Sequence, residues 1–93
     1  MANTKAAKKR TRQSLERRAR NVHVKATVRG GMRNFLDACA AADLGKAGDA
    51  LRQAVRLIDK AVSKGVLHRN TAARRKSRLA KMLAAKKQAA EQS

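Results

Sequence analysis

Apolar positions recur along the chain at the spacing of one buried face on an α-helix, and they divide it into three predicted helices. The first covers about residues 4–42, and either Asn3 or Thr4 is a suitable N-cap for it. Gly30 and Gly31 interrupt this helix, and glycine costs roughly 1 kcal/mol relative to Ala there, so we expect a bend or a weak point. Its apolar stripe, dense only in the second half, consists of Leu15, Val22, Val28, Met32, Phe35, Leu36 and Cys39.

The second predicted helix covers about residues 44–64 and has the most continuous apolar face in the chain. Asp43 precedes it and is a favourable N-cap. Gly65 follows it, at the position where a glycine in the left-handed conformation commonly ends a helix. The apolar face consists of Ala47, Leu51, Ala54, Val55, Ile58, Ala61 and Val62.

The third predicted helix covers about residues 71–90, with Asn70 as its N-cap. The absence of Pro and the 20 Ala residues favour an all-α fold. Short connections between amphipathic helices indicate antiparallel neighbours. We therefore predict a single domain over residues 1–93, a three-helix bundle whose long N-terminal helix overhangs the other two. The inward residues of the third helix are Ala72, Leu79, Met82 and Leu83.

The charge of the chain predicts a polyanionic partner. The 93 residues include 24 Lys and Arg against 6 Asp and Glu, which gives a net charge of +18. Self-repulsion at this charge opposes compaction, and half of the apolar residues are Ala, so the core is expected to be thin. We therefore expect the free protein to be marginally folded and stabilised by its partner, for which nucleic acid is the leading candidate.

The positive charge is concentrated at the two ends of the chain. Residues 1–29 carry +9 and residues 65–93 carry +7, whereas residues 30–64 carry only +2. At about 100° per residue, the bases of the first helix project all around its circumference, which indicates contact with several phosphate backbones rather than with one duplex. These bases are Lys5, Lys8, Lys9, Arg10, Arg12, Arg17, Arg18 and Arg20.

The connection SKGVLHRNTAARRK, residues 63–76, is unusually basic for a link between two helices. It leads to a helix N-terminus, where free N–H groups at Thr71, Ala72 and Ala73 and the helix dipole favour a phosphate. The alternative is an ordinary capped helix start with a solvated basic face. The basic and imidazole side chains around this N-terminus are His68, Arg69, Arg74, Arg75 and Lys76.

The residue types present limit the kind of function. With no Trp or Tyr and a single Phe, base stacking is not available, so binding should depend on phosphates, sugars and shape. The single Cys39 and the two His residues suggest no disulfide, metal site or catalytic group, so we expect no enzyme, cofactor or small-molecule substrate. No run of the chain is apolar enough for a signal or membrane segment, so an intracellular protein is expected.

Two alternatives from other classes remain. A DNA-compacting nucleoid protein would normally contain Pro-punctuated Lys/Ala repeats, which are absent here. A cationic membrane-surface helix would carry Trp, Phe or Leu opposite its bases, whereas the N-terminal helix offers mostly Ala.

Two stretches resemble the family of ribosomal protein twenty of the bacterial small subunit. They are the opening MANTKAAKKR, with the Gln13-Ser14 that follows it, and KGVLHRNTAARRKSRL, residues 64–79. The resemblance extends over the whole chain, although the glycines at 30 and 31 depart from the family pattern. It implies a structural protein of the small subunit, in the bacterial cytoplasm and without an obligate homo-oligomer.

The resemblance also implies a ligand. It would be 16S ribosomal RNA, bound directly and early in assembly, at the 5′ domain and at the long helix near the 3′ end. By resemblance the contacts are Asn3, Lys5, Lys8, Lys9, Arg10, Arg12, Lys64, His68, Arg69, Asn70, Arg74 and Lys76. The charge pattern adds Arg17, Arg18, Arg20, Arg75 and Arg78.

Overall fold

A computed structural model describes residues 4–92, which form three α-helices and, over that range, no β-strand. Helix α1 covers Lys5–Ala40, α2 covers Leu44–Ser63 and α3 covers Arg69–Gln92. The all-α fold with a long N-terminal helix is therefore confirmed. Of the two candidate caps for α1, Thr4 is the one observed, since its Oγ1 accepts a hydrogen bond from the N–H of Ala7 at 3.2 Å. Asn3 lies outside the described residues.

Helix α1 ends at Ala40, two residues before the predicted end, because Ala42 adopts the left-handed conformation with φ 58°. The N–H of Asp43 bonds to the C=O of Ala38 and the N–H of Ala42 to that of Cys39, both at 3.1 Å. This is the Schellman pattern that commonly ends a helix, here with Ala in the position usually taken by Gly. Asp43 then caps α2 as predicted, and its Oδ1 accepts the N–H of Lys46 at 3.0 Å.

The connection between α2 and α3 confirms one predicted cap and corrects another. Gly65 has φ 74° and the N–H of Val66 bonds to the C=O of Ala61, so the predicted left-handed glycine is present. Helix α3 begins at Arg69, so Asn70 lies in its first turn and is not its N-cap. His68 occupies that position instead, because its Nδ1 accepts the N–H of Asn70 at 3.1 Å.

Helix α2 lies between the other two, and the backbones of α1 and α3 approach each other closely at few positions. The largest fully buried side chains are Phe35 and Val28 of α1 and Ile58 of α2. Ala47, Ala54 and Ala61 of α2 are also fully buried, so much of this thin core consists of Ala methyl groups. The three-helix arrangement therefore depends on α2, which supplies a packing surface on both sides.

Part of the predicted apolar stripe is exposed. Leu15 and Val22 of α1 are 60% and 59% exposed, and Val24 is buried where Val22 was expected. Leu36 and Met82, expected inside, are 43% and 39% exposed. The predicted stripe fails before residue 24 because α2 is too short to reach that part of α1: 20 residues span about 30 Å, against about 54 Å for the 36 residues of α1.

Helix α1 runs continuously through the two glycines at 30 and 31. Gly31 is buried against α2, and a Cβ atom there would lie 2.6 Å from Cδ1 of Leu57 and 3.6 Å from Cα of Ala54. Nothing lies within 4 Å of a Cβ atom at Gly30. Gly31 therefore allows α1 and α2 to approach closely, which is a packing role that the sequence pattern did not predict.

The molecule is strongly elongated, measuring 69 × 22 × 16 Å. Its radius of gyration of 18.4 Å compares with about 12 Å for a compact domain of this length. The elongation comes from the first part of α1, where residues 5–20 are exposed apart from the half-buried Ala7. We call residues 5–20 the overhang.

Candidate nucleic-acid interface

The overhang presents its bases to solvent on every side. Its eight Lys and Arg side chains are all exposed, and Glu16 is the single acid among them. Because the overhang packs against neither α2 nor α3, its charges are not confined to one face by a protein partner. The predicted ring of positive charge is therefore present along this rod.

Three acids form ion pairs within the described residues, and none of their partners lies in the overhang. Lys46 lies 4.0 Å from Asp43, and Arg52 is paired with Asp49, one turn apart on α2. Lys76 of α3 bonds to Asp59 of α2, with 2.8 Å between Nζ and Oδ1. Over residues 4–92 no ion pair involves the overhang. Its positive charge thus remains available to an external anion.

The basic connection after α2 is brought against the middle of α1. A groove of about 380 Å³, which we call the α1–α3 groove, is formed by α1, the connection and the first turns of α3. Val66 and Leu67 supply half-buried apolar surface in this groove. Its lining residues are Lys25, Arg29, Val66, Leu67, His68, Thr71 and Arg75.

Sequence reasoning missed Lys25 and Arg29 as members of this site. They lie one helical turn apart on α1 and therefore share a face. Their position opposite the connection follows from the length of α2. This helix runs back alongside α1 for about 30 Å, and the connection to α3 begins where it ends. The helix lengths were thus the available signal for including them.

The basic run at positions 74–76 does not act as one cluster. Arg75 is half-buried and lines the α1–α3 groove, whereas Lys76 is bonded to Asp59 on α2. Arg74 is exposed on another side of α3, together with Arg78 and the unpredicted Lys81. We call this last side, lined by Ala73, Arg74, Ser77, Arg78 and Lys81, the α3 surface.

A second basic groove lies between α1 and α2. It contains the predicted Lys64, together with Lys60, one turn earlier on α2, and His23 of α1. Its volume is about 200 Å³, and its apolar lining comes from Val24, Val28 and Leu57. Bases therefore flank α1 on two sides just after residue 20, where the overhang joins the bundle.

The start of α3 offers fewer free N–H groups than expected. Because the helix begins at Arg69, the N–H of Ala72 bonds to the C=O of His68 at 3.0 Å, and Ala73 lies beyond the first turn. The N–H of Asn70 is taken by the His68 ring. Of the three positions predicted to bind an anion through the backbone, Thr71 alone remains in the first turn.

The predicted binding residues that the structure describes are all on the surface. Arg75 and Lys76 are half-buried, and the other fourteen, from Lys5 to Arg78, are exposed. Phe35, the single aromatic residue, is fully buried and so cannot stack on a base. Over residues 4–92 no helix has the length and apolar character needed to cross a membrane, and no cluster of His, Cys, Asp or Glu could hold a metal ion.

Comparison with known proteins gives a consistent result. A family model described as ribosomal protein S20 matches residues 2–84. Small ribosomal subunit protein bS20 of Anaeromyxobacter dehalogenans strain 2CP-C is 51% identical over 84 residues, which cover 90% of this chain and 91% of that protein. The bS20 protein of Salinispora tropica is 48% identical over 84 residues, covering 90% and 96%.

A third relative, bS20 of Caldanaerobacter subterraneus, is 49% identical over 79 residues, covering 85% of this chain and 75% of that protein. The residues matched by the family model include the overhang, both grooves and the α3 surface. The resemblance noted from the two sequence stretches is thereby confirmed, and so is the expectation that the chain is not an enzyme, because the matching proteins are ribosomal. The chain belongs to the ribosomal protein S20 family.

Proposed function

We propose that this chain is a structural constituent of the bacterial small ribosomal subunit and that it binds 16S ribosomal RNA directly, through phosphate and shape contacts. Its relatives are named as small-subunit proteins. The observation that supports direct RNA binding is the overhang. It is a helix with exposed bases around its circumference, and none of its residues takes part in an ion pair within residues 4–92.

Physical chemistry favours a polyanion as the ligand of the overhang. Residues 5–20 gain no stability from packing, and an isolated helix of this length is marginal in water even without charge repulsion. Phosphates that surround the overhang would neutralise its bases and stabilise the helix by binding it in the folded form. A ring of bases suits a rod that lies between several RNA backbones rather than on one.

The second contact region would be the start of α3. Arg75 lines the α1–α3 groove, and Arg74 and Arg78 lie on the α3 surface, so bases point to two sides of one helix. With this arrangement the bundle, like the overhang, would contact more than one RNA backbone. With Phe35 buried, recognition would come from phosphate positions and RNA shape rather than from stacked bases.

The proposed RNA sites are the 5′ domain and the long helix near the 3′ end, and binding would occur early in assembly, in the bacterial cytoplasm. What supports this is the resemblance of residues 64–79 to the most distinctive segment of the family. The elongated shape also fits two separate sites, because the 16 residues of the overhang extend about 24 Å away from the bundle.

Competition binding at two salt concentrations tests the proposal. We expect the full chain to prefer a 5′-domain fragment of 16S RNA over duplex DNA of equal length and over an unrelated structured RNA. That preference should survive the higher salt concentration, although affinity falls steeply with salt. Equal binding to all three that disappears at high salt would reduce the chain to a generic polyanion binder and revive the nucleoid hypothesis.

A matched pair of variants locates the contact. Arg17→Gln/Arg18→Gln removes two charges from the overhang, and the slope of log K against log salt should become shallower by roughly 1.5 to 2. Lys86→Gln/Lys87→Gln removes the same charge near the end of α3, beyond the residues that the family model matches. This C-terminal control should leave the slope nearly unchanged, and equal effects of the two variants would contradict a specific role for the overhang.

A further inference from the structure

The α1–α3 groove brings together cations from two helices whose backbones lie close at few positions. Lys25 and Arg29 of α1 line the same groove as Arg75 of α3 and His68 of the connection. No acid is among the residues that line it. The Asp59 carboxylate of α2, which is bonded to Lys76, is not among the lining residues either.

The packing of the bundle does not offset the repulsion across this groove. Both α1 and α3 pack on α2, and their backbones approach each other closely at few positions, so the spacing of the two sides is set mainly by α2 and by Val66 and Leu67 of the connection. Like charges that face each other across a partly buried space destabilise the arrangement unless an anion lies between them. The groove is therefore a place where a bound anion would strengthen the fold.

The lining of the groove suits a phosphate group. The Nδ1 atom of His68 accepts the N–H of Asn70, so the neutral ring carries its proton on Nε2, which is a donor. The half-buried Thr71 adds a hydroxyl, and Arg29 and Arg75 add guanidinium donors. Tetrahedral phosphate oxygens accept from several directions at once, and Arg is well matched to them.

We propose that the α1–α3 groove binds one phosphate group of the RNA backbone, and that this phosphate joins α1 to the start of α3. The anion would then add a polar link between these helices beside the packing that both make on α2. The inference that the phosphate belongs to RNA rests on the proposed function. The inference that the groove binds a phosphate group does not. RNA contact would thus stabilise the bundle as well as the overhang.

The first test measures unfolding of the full chain with and without inorganic phosphate, at matched ionic strength in chloride and constant pH, by circular dichroism. A single phosphate in a half-open site is expected to bind with roughly millimolar affinity. At a phosphate concentration ten times Kd, the unfolding equilibrium constant should fall about elevenfold. Phosphate also stabilises proteins generally through its exclusion from their surface, so the comparison between variants is what decides the result.

Arg29→Gln/Arg75→Gln should lose this specific response, because one donor is removed from each side of the groove. The C-terminal control, Lys86→Gln/Lys87→Gln, lowers the net charge equally and should respond as the original chain does. The groove variant should also be no less stable than the original chain without phosphate, since it removes repulsion. An equal phosphate response in all three proteins would overturn the proposal.

If the groove variant does not fold, a second measurement on the unmodified chain decides the question. In amide NMR spectra of the unmodified chain, added phosphate should shift the resonances of Leu67, His68 and Thr71 in a saturable way, with Lys86 and Lys87 little changed. Uniform shifts along all basic segments would refute a defined site.

The final measurement identifies the source of the phosphate. With saturating 16S fragment bound, added inorganic phosphate should give no specific further stabilisation, because the groove is already occupied. A full additional response would show that RNA does not use the groove. A phosphate response in the free chain without preference for 16S RNA would instead contradict the proposed function and leave the anion site intact.

Discussion

Substituting the two adjacent glycines of α1 should give opposite results, because only one of them lies against α2. In a helix interior, Gly→Ala is worth about 1 kcal/mol of stability through backbone entropy. Gly30→Ala should realise most of this gain, since nothing lies within 4 Å of the added Cβ atom. In a domain of this size the gain corresponds to a rise in Tm of about 4 to 8 °C.

Gly31→Ala carries a cost that offsets the same gain. The added Cβ atom would lie 2.6 Å from Cδ1 of Leu57, about 1 Å closer than an ordinary contact. Leu57 is half-buried and its methyl group can move, but a displaced rotamer and local overpacking cost about 1 to 3 kcal/mol. The net change should therefore range from about zero to a loss of about 2 kcal/mol relative to the original chain.

The assay is urea unfolding followed by circular dichroism, because the chain has no Trp or Tyr for fluorescence. A double-mutant cycle with Leu57→Ala isolates the contact: once the Leu57 side chain is removed, Gly31→Ala should become stabilising, with a coupling energy of about 1 to 3 kcal/mol, the cost that is relieved. Equal stability of Gly30→Ala and Gly31→Ala, or no coupling to Leu57, would refute the close approach of α1 and α2 at this point.

Three further predictions concern the turn, α3 and the overhang. Ala42→Gly should raise the free energy of unfolding by about 1 kcal/mol, since it removes the cost of a left-handed non-glycine residue; a loss in urea unfolding would contradict the observed φ of 58°. Arg74→Gln/Arg78→Gln should make the salt slope of RNA binding shallower by roughly 1.5 to 2, whereas Lys76→Gln, whose side chain is held by Asp59, should change it much less in the same titration. Without RNA, amide exchange should show little protection in residues 5–20, and full protection there would mean that the overhang is stable alone.

Features of the fold that depend on nearby residues could be predicted from the sequence. Asp43 was identified as a cap, Thr4 was one of two candidates for the cap of α1, and Gly65 was identified as a left-handed terminus, because each acts on atoms within a few positions. The Ala42 turn and the His68 cap were missed. Neither residue type commonly takes those positions, and their conformations follow from the hydrogen bonds that close the two turns.

Features that depend on how far one helix reaches along another could not be read from periodicity. Leu15 and Val22 follow the helical pattern, but no second helix lies opposite them. The different surroundings of Arg74, Arg75 and Lys76 could not be predicted from periodicity either. Consecutive residues on a helix point about 100° apart, yet only the positions of α1 and α2 decide which base lines the groove and which is bonded to Asp59.

The exposed overhang makes salt act in opposite directions on the free and the bound protein. Bases three or four positions apart on a helix are about 5 to 6 Å from each other and repel, so added salt should raise the helix content of the free overhang. The same salt weakens binding by reducing the gain from released counterions. Because salt thus lowers the cost of ordering the helix while it lowers affinity, the measured salt slope should understate the number of phosphates that the protein contacts.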